Sequence, residues 1–380
     1  MELVKGFKDF TGEEAEKREF IKKILVETFE AYGFEPAETP IIEYESFVKG
    51  ENQQDDAVSD IFKLQDKGKR NLALRYEFTF QLKRISKNKK LPYRRYQIGK
   101  VFRDEPVSKN RLREFTQCDV DVVGSTIKDE AEILALTNEV LEKLGIKPII
   151  LISNRSLMNE ILDDLKINKK YREDVLREID KYEKLGEKKL KQNLKKYKAE
   201  NLIDAIKQGE EYFKKFNSYK EIISLMEYCK LFSLKVFFSP TIVRGLSYYV
   251  GNVFEIKSKG IKESIAAGGS YLINNKKSTG ISFGLERLSL ISKIKFEKEK
   301  ILVVSLNQDK EAIKLAQKLR KKGKFVSIFY GKPSKALQYA NSYCFTKAIF
   351  VGEKEIKSGK FKIKDLKTGK ESEFETEFSL

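Results

Sequence analysis

Two long alternating runs constrain this chain more than any other feature. Tyr93-Arg-Arg-Tyr-Gln-Ile-Gly-Lys-Val-Phe102 and Phe115-Thr-Gln-Cys-Asp-Val-Asp-Val-Val123 both alternate at a period of two, as strands do. A polar loop rich in arginine, RDEPVSKNRLRE, lies between them. Long strands paired antiparallel across such a loop commit the chain to a mixed α+β domain and exclude a doubly wound one.

The rest of the chain reads around that pair. Thr11 and Glu14 have capping-box spacing, and Phe20, Ile21, Ile24, Leu25 and Phe29 then recur at helical period up to Gly33. Pro36 and Pro40 bracket a short extended segment leading to Ile41, Ile42 and Tyr44. Ile61–Leu64 and Leu72–Arg75 read as neighbouring strands across a turn at Gly68. From about 155 to 235 the chain becomes Lys/Glu-rich and reads as several helices. Lys166–Glu200 alone holds thirteen basic and seven acidic residues, which suits a solvated helical face or one that follows a phosphate backbone. Strands return at Lys235–Phe238, Thr241–Arg244, Tyr248–Val250 and Asn252–Ile256, followed by the Gly-rich Ala266–Tyr271. Gly280–Leu288 passes from strand through Gly284 into a helix. After the Lys-rich IKFEKEKI comes a βαβαβ order: Ile301–Val304, Glu311–Arg320, Val326–Phe329, Ser334–Asn341 and Ala348–Val351, closed by a hairpin around Lys367–Lys370.

Absences narrow the chemistry. The 380 residues include no histidine, which excludes a Ser-His-Asp triad, a Cys-His pair, HExxH zinc and any imidazole base. Cys118, Cys229 and Cys344 form no CxxC pair, so a zinc ribbon or disulfide framework is not expected and the compartment reads as reducing. No Gly-rich phosphate loop follows a strand. No apolar run reaches the roughly 18–20 residues of a membrane span, and MELVKGFKDF has no secretory h-region. The net charge of +18 points to a polyanionic partner, nucleic acid first.

Arginines carry the remaining signal. Arg103, Arg111 and Arg113 lie on or beside the strand–loop–strand, Arg244 stands among aromatics in Arg-Gly-Leu-Ser-Tyr-Tyr, and Arg287 opens a helix. Guanidinium groups at the mouth of an antiparallel sheet suit a polyphosphate, because they bind it bidentately. The carboxylates Glu77, Glu105, Asp119 and Asp121 occur in the same segments. Arginines for phosphate beside carboxylates for a cation suit an amino acid meeting ATP.

At this point the chain resembles a known family. Phe102-Arg103-Asp104-Glu105 with Arg111-Leu-Arg-Glu-Phe115-Thr-Gln117-Cys-Asp-Val-Asp121 is similar to motif 2 of class II aminoacyl-tRNA synthetases. The helix running toward Pro40 resembles motif 1, and Gly284-Leu-Glu-Arg287-Leu288 resembles motif 3. Leu74-Arg75-Tyr-Glu77-Phe-Thr79 and Val243-Arg244-Gly-Leu-Ser-Tyr248-Tyr249 narrow the resemblance to the histidyl-tRNA synthetase family, over nearly the whole chain. It implies an α+β fold: a class II antiparallel sheet flanked by helices, a helical insertion and a small α/β anticodon-binding-like domain. The implied boundaries are 1–154 with 236–298 for the catalytic domain, 155–235 for the insertion and 299–380 for the last domain.

The resemblance also implies roles. Arg103 and Arg244 would be catalytic, meeting the α-phosphate from two sides, and Arg244 also the substrate carboxylate. Arg103, Glu105, Arg111, Phe115 and Arg287 would bind ATP, with Phe115 stacked on adenine and Arg111 and Arg287 on the outer phosphates. Glu77, Thr79 and Gln117 would hold the α-amino group of histidine. Asp121, Tyr249 and Tyr271 would read its imidazole, with Arg244 and Tyr248 completing the pocket. ATP would come with Mg²⁺, and no residue is expected to hold zinc or another resident metal. Histidine and tRNA(His) would be the other substrates, for a homodimer in the cytoplasm away from membranes. Ser247 and Ser270-Tyr271-Leu272 depart from the family pattern, in which an acidic residue and Arg-Tyr-Asp are usual, and the chain stops soon after its last hairpin. Three other readings share the fold: a histidine-sensing paralogue like the regulatory subunit of ATP phosphoribosyltransferase, a nucleic-acid-binding accessory protein, and a class II synthetase for another amino acid. Arg103, Arg244 and Arg287 argue against the first two, since neither needs an ATP grip. The Arg244–Tyr249 and Gln117–Asp121 segments argue against the third.

Overall fold

The two alternating runs become neighbours in one large sheet of the computed structural model. The described residues are 1–50, 58, 60–108, 111–242, 248–294 and 298–375. They fall into two units, Met1–Ile294 and Lys295–Leu380. Strands of the first unit are β1 (Glu35–Pro36), β2 (Ile42–Tyr44), β3 (Lys63–Gln65), β4 (Asn71–Leu74), β5 (Tyr93–Phe102), β6 (Glu114–Val123), β7 (Pro148–Asn154), β8 (Val236–Phe238), β9 (Tyr249–Ser258), β10 (Ala266–Ile273) and β11 (Lys276–Gly284). The main sheet runs β1-β5-β6-β11-β10-β9-β7-β8, and β2-β4-β3 form a small separate sheet. From β5 to β7 every neighbour is antiparallel, and only the edge strands β1 and β8 pair parallel.

Helices cover one face of this sheet and leave the other for the site. The helix Gly12–Ala31 buries Ile21, Leu25 and Phe29 in a core shared with Val120, Val122, Phe254 and Phe283. Burial on that stripe, not capping, holds it. Thr11 is the N-cap residue but makes no side-chain cap bond, and Glu14 instead accepts from Lys8 Nζ at 2.7 Å. The helix Ile127–Lys143 does have a capping box, between Thr126 and Asp129, and packs on the same core. Residues 155–231 form a string of short helices whose Leu176, Leu190, Leu194, Leu202 and Ile222 join that core.

Two segments depart from the expected pattern. Thr241 lies in a turn and Ile242 is outside regular structure, because Ile242 N bonds back to Ser239 O and ends pairing after β8. Val243 and Arg244 of that expected strand lie outside the described residues. Tyr248 lies in a turn, and Tyr249–Val250 and Asn252–Ile256 are parts of the single strand β9, with a register shift against β10 between Gly269 and Tyr271.

In the second unit β12 (Lys300–Ser305), β13 (Phe325–Tyr330) and β14 (Lys347–Val351) are parallel, and β15 (Lys360–Asp365) with β16 (Glu371–Glu375) extends them antiparallel, in the order β13-β12-β14-β15-β16. The helices Asp309–Lys321 and Pro333–Ser342 are the crossovers. A further helix, Glu353–Ser358, comes before the hairpin.

Backbones approach closely where β10 meets β11. A Cβ on Gly268 would sit 2.0 Å from the carbonyl oxygen of Gly280, so no side chain fits there without opening the ladder. Gly268→Ala is expected to cost about 3 kcal/mol or more, read as a lower urea midpoint. Gly209, where an added Cβ meets nothing within 4 Å, is the control. Its alanine variant should stay within about 1 kcal/mol of the parent.

Candidate active site

On β6 the polar residues Gln117, Asp119 and Asp121 fall on one face, as the two-residue period requires. They line a cleft of about 1220 Å³ that is also lined by Glu77, Thr79, Arg103, Glu105, Arg111, Phe115, Tyr248, Tyr249, Tyr271 and Arg287. Twelve expected site residues from five separate stretches of chain thus meet in one cavity. The thirteenth, Arg244, lies outside the described residues.

The cleft floor is a buried charge cluster. Register places Arg95 of β5 directly across from Asp121, and Gly280 of β11 on its other side. Arg95 is fully buried and lies 2.9 Å from Asp121 Oδ2, while Tyr271 Oη donates to Asp121 Oδ1. Gly280 makes this possible, since a Cβ there would fall 2.1 Å from Asp121 Oδ1. Burial raises the Asp121 carboxyl above its ordinary range, against the pull of Arg95. Burial, then the charge of Asp121, raises Asp119 as well. The phenol of Tyr271 is pushed well up by burial and by Asp121. Its proton therefore stays on at neutral pH as a donor. Tyr248 and Tyr249 close the wall beside it, with ring centroids 4.8 Å apart and Tyr248 lying 5.6 Å from Tyr271. Tyr248 Oη donates to Glu77 Oε2 at 3.4 Å.

The other end of the cleft is rich in arginine. Arg103 donates from Nε to Tyr76 O at 3.2 Å and sits 5.2 Å over the Phe115 ring. Arg111 pairs with Glu105, and its side chain stays 57% exposed. Arg287 donates to Ser264 O at 2.6 Å. Its neighbour Glu286 accepts from Thr116 N at 3.1 Å through both oxygens and pairs with Arg18 Nη2 at 2.9 Å. That clamp ties the helix Leu285–Ile291 to β6 and to the first helix, so Arg287 enters from a rigid element.

Sequence reasoning missed Arg95, Arg18, Glu286 and Ser282. Pairing β5 with β6 by their common alternation would have put Arg95 on the same face as Asp121. The other three depend on contacts between distant elements. Arg75, singled out in the sequence, proves to be a brace: it donates to Lys100 O at 2.8 Å and to Thr39 O at 2.6 Å, joining the Pro40 segment to β5. Among the described residues no group of three acidic, Cys or His side chains is arranged to hold a metal ion, and no helix is long and apolar enough to cross a membrane.

Comparison with known proteins agrees with this geometry. The family model for histidyl-tRNA synthetase matches residues 6–288, and that for an anticodon binding domain matches residues 300–378. The chain is 33% identical to histidine–tRNA ligase 1 of Bacillus cereus, with 98% of this chain and 96% of that protein covered. It is likewise 33% identical to the histidine–tRNA ligase of Methanocaldococcus jannaschii, over 97% of this chain and 95% of that one. Among solved structures, the histidyl-tRNA synthetase of Nostoc sp. PCC 7120 superposes with a TM-score of 0.85 at 25% identity, covering 98% of this chain and 96% of that chain. With its motifs gathered in one cleft and both family models matched in order, the chain belongs to the histidyl-tRNA synthetase family.

Proposed function

We propose that this chain is a histidine–tRNA ligase that activates histidine with ATP and passes it to the 3′ end of tRNA(His). The observation that carries the reading is the polarity of the cleft, with a buried acid–phenol floor at one end and arginines at the other. Asp121 and Tyr271, joined to each other by the phenol proton, present a carboxylate and a phenol oxygen to the imidazole ring of histidine, with Tyr249 beside them. A side chain lacking the ring nitrogens would cover this polar floor without a hydrogen bond to it, which is a basis for rejection. Glu77, Thr79 and Gln117 take the α-amino group. Phe115 stacks on adenine, Glu105 meets the adenine edge or the tRNA terminus, and Arg111 and Arg287 hold the outer phosphates.

The histidine carboxylate attacks the α-phosphorus, the bond to pyrophosphate breaks, and histidyl-adenylate forms. Arg103 and Arg244 neutralise the charge that gathers on the α-phosphate. The Mg²⁺ arrives as part of the ATP substrate and adds its charge to the phosphates. A ribose hydroxyl of the tRNA end then displaces AMP. No protein nucleophile is required, so a chain without histidine can do this by alignment and fixed charge. The reading assigns no zinc. It treats 155–235 as a helical insertion and 299–380 as the anticodon-reading domain, both basic enough to meet tRNA in the cytoplasm.

The same reading makes the enzyme a homodimer. On the small sheet, β2 buries Glu43 but turns Ile42 and Tyr44 outward at 48% and 54% exposure, beside the exposed Ile41 and Leu64. A second copy of this chain is the occupant that would cover them. Light scattering should therefore give a dimer mass, and Ile42→Glu with Tyr44→Glu should halve it.

Pyrophosphate exchange into ATP tests the chemistry. Exchange is expected with histidine and with no other amino acid, and Arg103→Gln should lower its kcat about 100-fold or more while the thermal midpoint stays put. Exchange driven by another amino acid, or by none, would overturn the reading.

A further inference from the structure

Of the four cleft-facing residues of β6, Phe115, Gln117, Asp119 and Asp121, only Asp119 has no task in the reaction described above. Its side chain is 6% exposed, yet Oδ1 has no hydrogen-bond partner within the protein. Gln117, the next residue on that face, repeats the pattern. It donates from Nε2 to Ser282 Oγ at 2.9 Å, and its own Oε1 is buried without a partner. Two unmatched acceptors thus stand side by side on the cleft wall. Buried acceptors are usually matched, and two adjacent exceptions in a cleft point to a donor brought by a ligand.

The groups around Asp119 do not supply that donor. Asp121 on its own strand repels it. On β5, Gln97 lies opposite and donates to Thr39 Oγ1 at 2.7 Å, while Arg95 is drawn to Asp121. Ser282 lies opposite on β11 and bonds the Asp119 carboxylate, yet Oδ1 is still unmatched. Arg103 acts on it as a charge.

We propose that Asp119 Oδ1 joins Gln117 Oε1 in receiving the α-ammonium group of the amino-acid substrate, making Asp119 a further residue that selects for a free cationic amine. This deepens the histidine–tRNA ligase reading and rests on it. An ammonium group has three N–H donors, which Asp119 and Gln117 share with Glu77 and Thr79 of the same cleft. Two residues along a strand advance about 7 Å, so a ring seated on Asp121 leaves the amine over Asp119 and Gln117. The incoming cation also offsets the repulsion between the two buried carboxylates, whose protons burial otherwise favours.

Calorimetric titration of the full chain and of Asp119→Asn, against histidine, histidinol and imidazole propionate, tests this. Histidine and histidinol carry the amine, and imidazole propionate keeps the ring and carboxylate without it. The variant is expected to bind the two amines about 10- to 100-fold more weakly. Imidazole propionate should change by less than about 3-fold on the same scale. The thermal midpoint of the unliganded variant should not fall, because one of two repelling buried carboxylates is gone, and Asp119→Ser should show the same ligand split. Equal losses for all three ligands, or unchanged histidine binding, would overturn the role of Asp119 and leave the ligase reading standing. A parent chain that binds none of the three would overturn both.

Discussion

The structure of the site depends on one buried pair, Arg95 with Asp121. Arg95 has no exposed surface, and Asp121 is 5% exposed. Removing either charge from water costs several kcal/mol, so neither can be buried there without the other. The pair therefore pins β5 against β6. Gly280 then follows on β11, because the carboxylate occupies the space a side chain would need. Tyr271 follows on β10, since the second carboxylate oxygen wants a donor. Three strand registers meet around one ion pair, and the cleft is the space left above it.

From that floor outward, the site is held by elements far apart in sequence. Glu286, Arg18 and Thr116 join the last helix of the first unit, its first helix and β6. Arg103 is braced on the Tyr76 carbonyl and the Phe115 ring. Groups fixed in this way need little reorganisation when charge develops on a phosphate, and such preorganisation is the main source of rate where no covalent catalyst exists. The missing histidine thus costs the chemistry nothing.

Much of this was legible in the chain itself. The alternation of 93–102 and 115–123 gave both central strands within a residue of their observed ends. It also put Gln117, Asp119 and Asp121 on one face, because a strand reverses side chains at every step. The capping pattern at Thr11 misled, since Lys8 lies close enough to claim Glu14 and hydrophobic burial alone holds that helix. The strand expected from Thr241 is replaced by a turn because the backbone bonds locally to Ser239.

Local pattern, then, determined which segments are strands and helices, that the sheet is antiparallel, and that arginines and carboxylates share its central strands. These properties depend on a few consecutive residues and on side-chain period. Only the tertiary structure decided that Arg95 is the partner of Asp121, that Gly280 clears space for a carboxylate, and that Asp119 and Gln117 keep acceptors unmatched. Each of those facts is a distance between strands, set by register and by the cost of burying charge, and no single stretch of the chain carries it.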